Sequence, residues 1–220
     1  MRVHGLMNSK WGKRGLLLTL PVAAAGGASA TSSAQSDVHA AAAQVTNPFF
    51  PLTPGSVYRY RSPGKKTVTK VLQTRKTVQG RRSTVVDSKE YEGGKLIEHF
   101  VDYYFQGSNG NVYYMRHKSR RKGESWTAGK SGAKRGIIMP AHPKVGRKFK
   151  VTQAGGAGSQ KGGAGQDRAR VYSVSKTRVK IKYTSRYYPE TVRYIYKRGV
   201  GLYKILDKGE TTTLRSFKKP

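Results

Sequence analysis

The strongest constraint on the fold is a period of two. Val179, Ile181 and Tyr183 alternate with Arg178, Lys180 and Lys182. Successive side chains of an extended chain point to opposite faces, so this run sets an apolar face against a core and a cationic face in water. Val192, Tyr194 and Tyr196 alternate with Arg193, Ile195 and Lys197, and Val101, Tyr103 and Phe105 alternate with Asp102, Tyr104 and Gln106. Turn residues punctuate these runs. Glu92-Gly93-Gly94-Lys95 separates strands expected near 83–91 and 95–106, and Ser108-Asn109-Gly110 precedes a strand expected near 111–116. No segment has the pattern of a long amphipathic helix, so the expectation is an all-β, antiparallel fold.

The strands come in two similar sets. Pro51-Leu-Thr-Pro54-Gly55-Ser-Val-Tyr58 resembles Pro140-Ala-His-Pro143-Lys-Val-Gly146-Arg-Lys-Phe149. Gly55 and Gly146 are 91 residues apart, as are Tyr58 and Phe149, Val101 and Val192, Tyr103 and Tyr194, Phe105 and Tyr196, and Gly110 and Gly201. The constant offset predicts two tandem β units, about 47–135 and 136–220, in a single domain. Joined edge to edge they give one curved sheet, a half-barrel or barrel; stacked face to face they give a sandwich.

Ahead of this domain, Arg2, Lys10, Lys13 and Arg14 precede the short apolar run Gly15–Ala25 and the small residues Ala28-Ser29-Ala30. This is the layout of a secretory signal peptide over 1–30, with an apolar stretch too short for a comfortable membrane span. Residues 31–46 are small and polar and read as a flexible linker. The chain is therefore expected to act outside the cytoplasm, in the periplasm, cell envelope or extracellular space, with no transmembrane span after leader removal. It contains no cysteine, which excludes disulfides, thiolate metal sites and a cysteine nucleophile.

Three stretches carry a family likeness: Asn47-Pro-Phe-Phe-Pro-Leu-Thr-Pro-Gly55, Gly136-Ile-Ile-Met-Pro-Ala-His-Pro-Lys-Val-Gly146 and Tyr196-Lys-Arg-Gly-Val-Gly-Leu202. They resemble uncharacterised exported bacterial β-rich proteins with an N-P-x-F-P-L-x-P-G opening, a central G-I-x-M-P-A-H-P-x-x-G and a terminal Y-x-x-G-V-G-L. A weaker likeness links the layout to the half-barrels of lipid and lipoprotein carriers. The resemblance implies no catalytic residue and no cofactor. This chain departs from that family in its charge, since such relatives are more acidic.

Catalytic chemistry is sparsely supplied. His99, His117 and His142 show no zinc-ligand spacing, and no nucleophile-elbow motif occurs. Glu98 and His99 are adjacent in a strand and must face opposite sides. Pro140, His142, Pro143 and Gly146 read as a motif turn. The glycine-rich run 154–165 lacks the strand, helix and Lys-Ser/Thr context of a phosphate loop and reads as a surface loop. No metal or cofactor is expected, and the reading is non-enzymatic.

Charge is abundant instead. The chain has 43 Lys and Arg against 11 Asp and Glu, a formal net charge of +32, of which the leader takes four. Arg116, Lys118, Arg120, Arg121 and Lys122 form one cluster, and Arg178, Lys180 and Lys182 form a cationic strand face. The leading expectation is a basic surface that engages an anionic polymer or anionic lipid surface, with tyrosines adding contact; the export signal argues against intracellular nucleic acid. The alternative is a half-barrel carrier or chaperone whose inner face, Val101, Tyr103, Phe105, Val192, Tyr194 and Tyr196, holds a lipid or other small apolar ligand. A hydrolase is the third class.

Overall fold

A computed structural model describes residues 44–120, 125–154, 165–185 and 188–220. The leader, all but the last residues of the linker, Arg121 and Lys122, and the centre of the glycine-rich run lie outside the described residues. Thirteen strands follow in order: β1 Val57–Ser62, β2 Lys65–Val78, β3 Arg81–Glu92, β4 Lys95–Gln106, β5 Val112–Ser119, β6 Trp126–Thr127, β7 Lys134–Met139, β8 Lys148–Ala154, β9 Gly165–Val174, β10 Arg178–Ser185, β11 Tyr188–Lys197, β12 Gly201–Asp207 and β13 Glu210–Lys218. There is no helix among the described residues, and all thirteen strands belong to one antiparallel sheet. The fold is all-β and curved; the face-to-face sandwich does not form.

The hydrogen-bonded order is β4-β3-β2-β1-β13-β12-β11-β10-β9-β8-β7-β5, with β6 lying against β5, and β4 also pairs with β5. The order therefore returns on itself. Six strands of the first half (β1–β5 and β7) are followed by six of the second (β8–β13), and β1 meets β13 where the halves join.

The likeness of the two opening turns is visible in bonds as well as in sequence. Gly55 N–H donates to Val71 O, Val71 N–H to Ser56 O, and Ser56 N–H to Thr53 O, at 2.8–3.1 Å. In the second half Gly146 N–H donates to Val171 O, Val171 N–H to Arg147 O, and Arg147 N–H to Lys144 O, at 2.9–3.1 Å. Both glycines have φ near +86°, at 85° and 87°, where a side chain is strained. Each Pro-x-x-Pro turn thus launches its first strand against its second in the same way.

The equivalence slips further along. Tyr104 of β4 and Tyr194 and Tyr196 of β11 share the main core, whereas Tyr103 belongs to a separate cluster with Val78, Val85 and Met115. Inward Tyr104 lies 90 residues before Tyr194 and 92 before Tyr196, one residue to either side of the 91-residue offset. A one-residue shift moves a strand's entire apolar set to the other face, so the offset that fits the turns does not fit these strands.

A ring of twelve strands encloses more space than the side chains of an eight-strand barrel can fill. Two devices fill it here. Tyr58, Tyr60, Tyr104, Tyr114, Tyr183, Tyr194 and Tyr196 all point into the main core. The segment 45–52 also folds inside, closed on itself by the Val45–Leu52 bridge and burying Val45, Phe49, Phe50 and Leu52. Asn47 fixes this plug. Its Nδ2 donates to Pro140 O, its Oδ1 accepts from Phe49 N–H, its N–H donates to Gln106 Oε1 and its carbonyl accepts from Phe50 N–H. Gly199 N–H donates to Pro48 O, and Ala141 N–H to Asn111 Oδ1. The three motif stretches noted in the sequence thus meet at one end of the sheet, as parts of one closure.

Gly136 shows how tightly this closure is built. An added Cβ would lie 2.0 Å from Val151 O and 2.3 Å from Val151 C, both backbone atoms of the neighbouring strand. Gly136→Ala is expected to destabilise the fold by about 3 kcal/mol or more. Gly64→Ala, at a turn with φ +70° and open space around it, is expected to cost only about 1–2 kcal/mol. Urea-unfolding midpoints of the two variants check the difference.

Candidate polyanion-binding surface

The outer face of the second half is built by the alternation that defines its strands. Phe149, Val151, Ala169, Val171, Val179, Ile181, Tyr183, Tyr194 and Tyr196 face the core. Their neighbours in sequence consequently face out. Pairing then sets Lys148 opposite Arg170, Arg170 opposite Lys182, and Lys182 opposite Arg193. Four cations therefore form a row across β8, β9, β10 and β11 at strand spacings of about 4.8 Å. Beside it Lys150 pairs with Arg168, and Arg178 pairs with Lys197. Lys180 lies opposite Ile195, which lies opposite Lys204. Lys182 also reaches over the Tyr172 ring, 5.4 Å from its centroid.

Like charges placed directly opposite one another destabilise a sheet by some tenths of a kcal/mol per pair, up to about 1. Asp167, on β9, has the inward parity of Ala169 and acts electrostatically on buried Tyr114.

The acids are spent elsewhere. Glu90, Glu98 and Asp102 are buried. Glu90 pairs with Lys65 at 3.4 Å, both nearly inaccessible. Asp102 Oδ1 accepts from Tyr114 Oη and lies 2.7 Å from His117 Nδ1, while Tyr104 Oη reaches Oδ2 at 3.4 Å. On the outer face Asp87 pairs with His99, so Glu98 and His99 do face opposite sides.

The sequence-derived residues divide accordingly. Arg178, Lys180 and Lys182 belong to the cationic face. Arg116, Lys118 and Arg120 are on or just beyond β5, separated from β10 by β7, β8 and β9. The Arg116 Cζ lies over the Tyr103 ring, 5.0 Å from its centroid, and Lys118 and Arg120 are exposed. His117, read within the same basic run, instead turns inward to Asp102. Arg121 and Lys122 are outside the described residues. Pro140 is buried, Gly146 takes a positive φ, and His142 is an exposed turn residue whose carbonyl accepts from Arg147. Pro143, half-buried, completes that turn.

The expected apolar-ligand face is divided by the strand slip. Tyr194 and Tyr196 line an inner cavity with Phe50, Leu52, Tyr60 and Tyr104. Val192 packs against the main core, but Val101, Tyr103 and Phe105 lie on the other side of the sheet. The cavity holds about 50 Å³ of free space, far below the roughly 300–1,000 Å³ of a small-molecule site. The plug and the tyrosines occupy the rest.

The outer row could not be found in the sequence without the strand register. Arg168 and Arg170 follow a glycine-rich run, and Lys148 and Lys150 follow a turn, so neither pair announces that it faces Lys182. No family model, no curated protein and no solved structure matches this chain.

The buried phenols give this interior a pH signature. Burial raises Tyr58 to about 12 and holds Tyr60, Tyr104, Tyr114, Tyr183 and Tyr196 well above their usual value; Asp102 adds to the effect at Tyr104 and Tyr114. Above pH of about 10 tyrosines ionise in the unfolded chain while these remain protonated in the folded one. Their contribution is therefore complete below pH 10 and falls as pH rises beyond it. Tyrosinate absorbance from these rings is expected to appear together with loss of near-ultraviolet circular dichroism. Full ionisation of every tyrosine near pH 10 with the dichroism intact would contradict their burial.

Proposed function

We propose that the protein is a non-enzymatic binding module that acts after export and engages an anionic polymer or anionic lipid surface through the outer face of β8–β12. The observation that carries this reading is the row Lys148–Arg170–Lys182–Arg193. A charge that merely keeps a protein soluble need not be stacked strand upon strand, where it costs stability. A polyanion laid over the row removes that repulsion and releases its own counterions. Capture is electrostatic, by long flexible lysines and forked arginines, with Tyr172 at the edge of the face. The alternative, a carrier for an apolar ligand, draws less support from a cavity of about 50 Å³ that the chain's own Phe50 helps to wall.

The reading separates two properties that ordinarily move together. Arg170→Gln combined with Lys182→Gln is expected to raise stability at low salt by some tenths of a kcal/mol or more, and to weaken binding to inorganic polyphosphate. The slope of log affinity against log salt should become shallower by about 1–2. Arg59→Gln with Arg61→Gln, which removes the same charge from exposed positions of β1, serves as the matched control. Fluorescence anisotropy across a salt series reads both. Equal loss of affinity in the two double variants would assign binding to whole-chain charge and overturn the site.

A further inference from the structure

A second outer surface, on the first half, is built differently. Here the alternation of β4 and β5 leaves aromatic rings outside the ring of strands. Phe105 pairs with Tyr113 across β4 and β5, their ring centroids 6.4 Å apart and nearly parallel at 23°. Arg81 of β3 lies over the Phe105 ring at 5.6 Å, and Arg135 of β7 over the Tyr113 ring at 5.0 Å. Two positions along, Arg116 lies over Tyr103 at 5.0 Å. The rings rest on buried Val78, Val85 and Met115. The β6–β7 connection folds over the same layer, with Ala128 N–H donating to Met115 O.

These arginines differ in kind from the row on β8–β11. A guanidinium seated over a ring is positioned before any ligand arrives, and it carries a fork of N–H donors. No ion pair with a carboxylate is formed by Arg81, Arg116 or Arg135 among the described residues. Phe105 and Tyr113 are only half-buried, so ring edges stay accessible between the arginines. The platform therefore offers two kinds of contact side by side. Oriented forks match the paired oxygens of a phosphate, and flat surfaces, both guanidinium and aromatic, accept a planar ring by stacking.

We infer that this platform, Arg81, Phe105, Tyr113 and Arg135 with Arg116 on Tyr103, binds single-stranded nucleic acid encountered outside the cell. Phosphates meet the guanidinium forks, and unpaired bases stack on the guanidinium planes and on the exposed parts of the Phe105 and Tyr113 rings. A ligand with charge but no planar rings uses only half of what the surface presents. A duplex keeps its bases stacked on one another and presents phosphates alone. The inference goes beyond the polyanion reading above and stands on a different half of the outer surface, so either can fail without the other.

The test compares an oligothymidylate, a duplex of equal length and inorganic polyphosphate by fluorescence anisotropy at one salt concentration. Phe105→Ala and Tyr113→Ala are each expected to weaken oligothymidylate binding at least about fivefold, the lower range for one stacked base, and to leave polyphosphate within about twofold of the parent. Arg81→Lys with Arg135→Lys keeps the charge and the exposed positions while removing the plane and the fork. It is expected to reproduce the oligothymidylate loss, and it guards against a result due to unfolding because both side chains are on the surface. Arg170→Gln with Lys182→Gln, in the second half, should weaken polyphosphate without abolishing the preference for single strand. The inference is overturned if the ring variants lower polyphosphate and oligothymidylate equally, if the duplex shows the same dependence on Phe105 and Tyr113, or if the arginine-to-lysine variant binds oligothymidylate like the parent.

Discussion

The structure depends on filling a space that its own topology makes too wide. Twelve strands that return on themselves enclose more volume than aliphatic side chains can occupy. An interior close-packed to the density of organic crystals needs larger groups, or another layer. This chain uses both. Seven core tyrosines reach inward, and residues 45–52 enter as a plug. Their hydroxyls must then be satisfied. Tyr183 and Tyr196 bond each other at 2.8 Å, Tyr60 donates to Leu202 O, Tyr58 to Pro51 O, and Tyr114 to Asp102. Asp102 and His117 sit inside because the tyrosine filling creates polar atoms that need partners there. The inner polar network is therefore a consequence of ring width rather than a sign of catalysis by itself.

The same constraint explains the motif stretches. Asn47 bonds Pro140, Pro48 accepts from Gly199, and Gly110 packs against Ala141 closely enough that an added Cβ would come within 2.9 Å. Residues far apart in sequence meet because the plug must be anchored to both halves. A position such as Gly136 admits no side chain because β8 passes directly beside it. Motifs of this kind report the closure of the sheet. They carry information about how the fold is sealed, while the cationic row and the arginine-capped rings lie on strands between them.

Much of the architecture was legible in the sequence, because a period of two is imposed by backbone geometry and needs no partner to be read. β4 matches its expected span, and β10 carries the inward Val179, Ile181 and Tyr183 as the alternation requires. The opening turns at Gly55 and Gly146 repeat bond for bond. What could not be read was set by tertiary register. The slip between β4 and β11 turned Val101, Tyr103 and Phe105 outward, although they alternate as well as Val192, Tyr194 and Tyr196 do. The β4–β5 pairing shifts between Tyr103 and Tyr104, leaving Met115 of β5 as the extra residue, so Tyr114 and His117 face inward and Met115 and Arg116 outward. A bulge changes the parity of everything beyond it and leaves no mark in composition. The cationic row needed three ladders in register, and each strand contributes one of its four cations.

Charge and fold are thereby separated. The interior and the closure supply stability through aromatic burial and satisfied polar groups, and the few acids serve that interior: Glu90 with Lys65, Asp102 with Tyr114 and His117. Having turned its described buried acids inward, the chain has little with which to neutralise the outer cations of β8–β11. It tolerates their repulsion because the core does not depend on them. A solvating role would be served as well by cations placed apart, since self-repulsion grows as like charges approach. Under the proposed function a partner supplies the missing negative charge to this aligned row, and the ring-supported arginines of the other half make a second outer region of different chemistry.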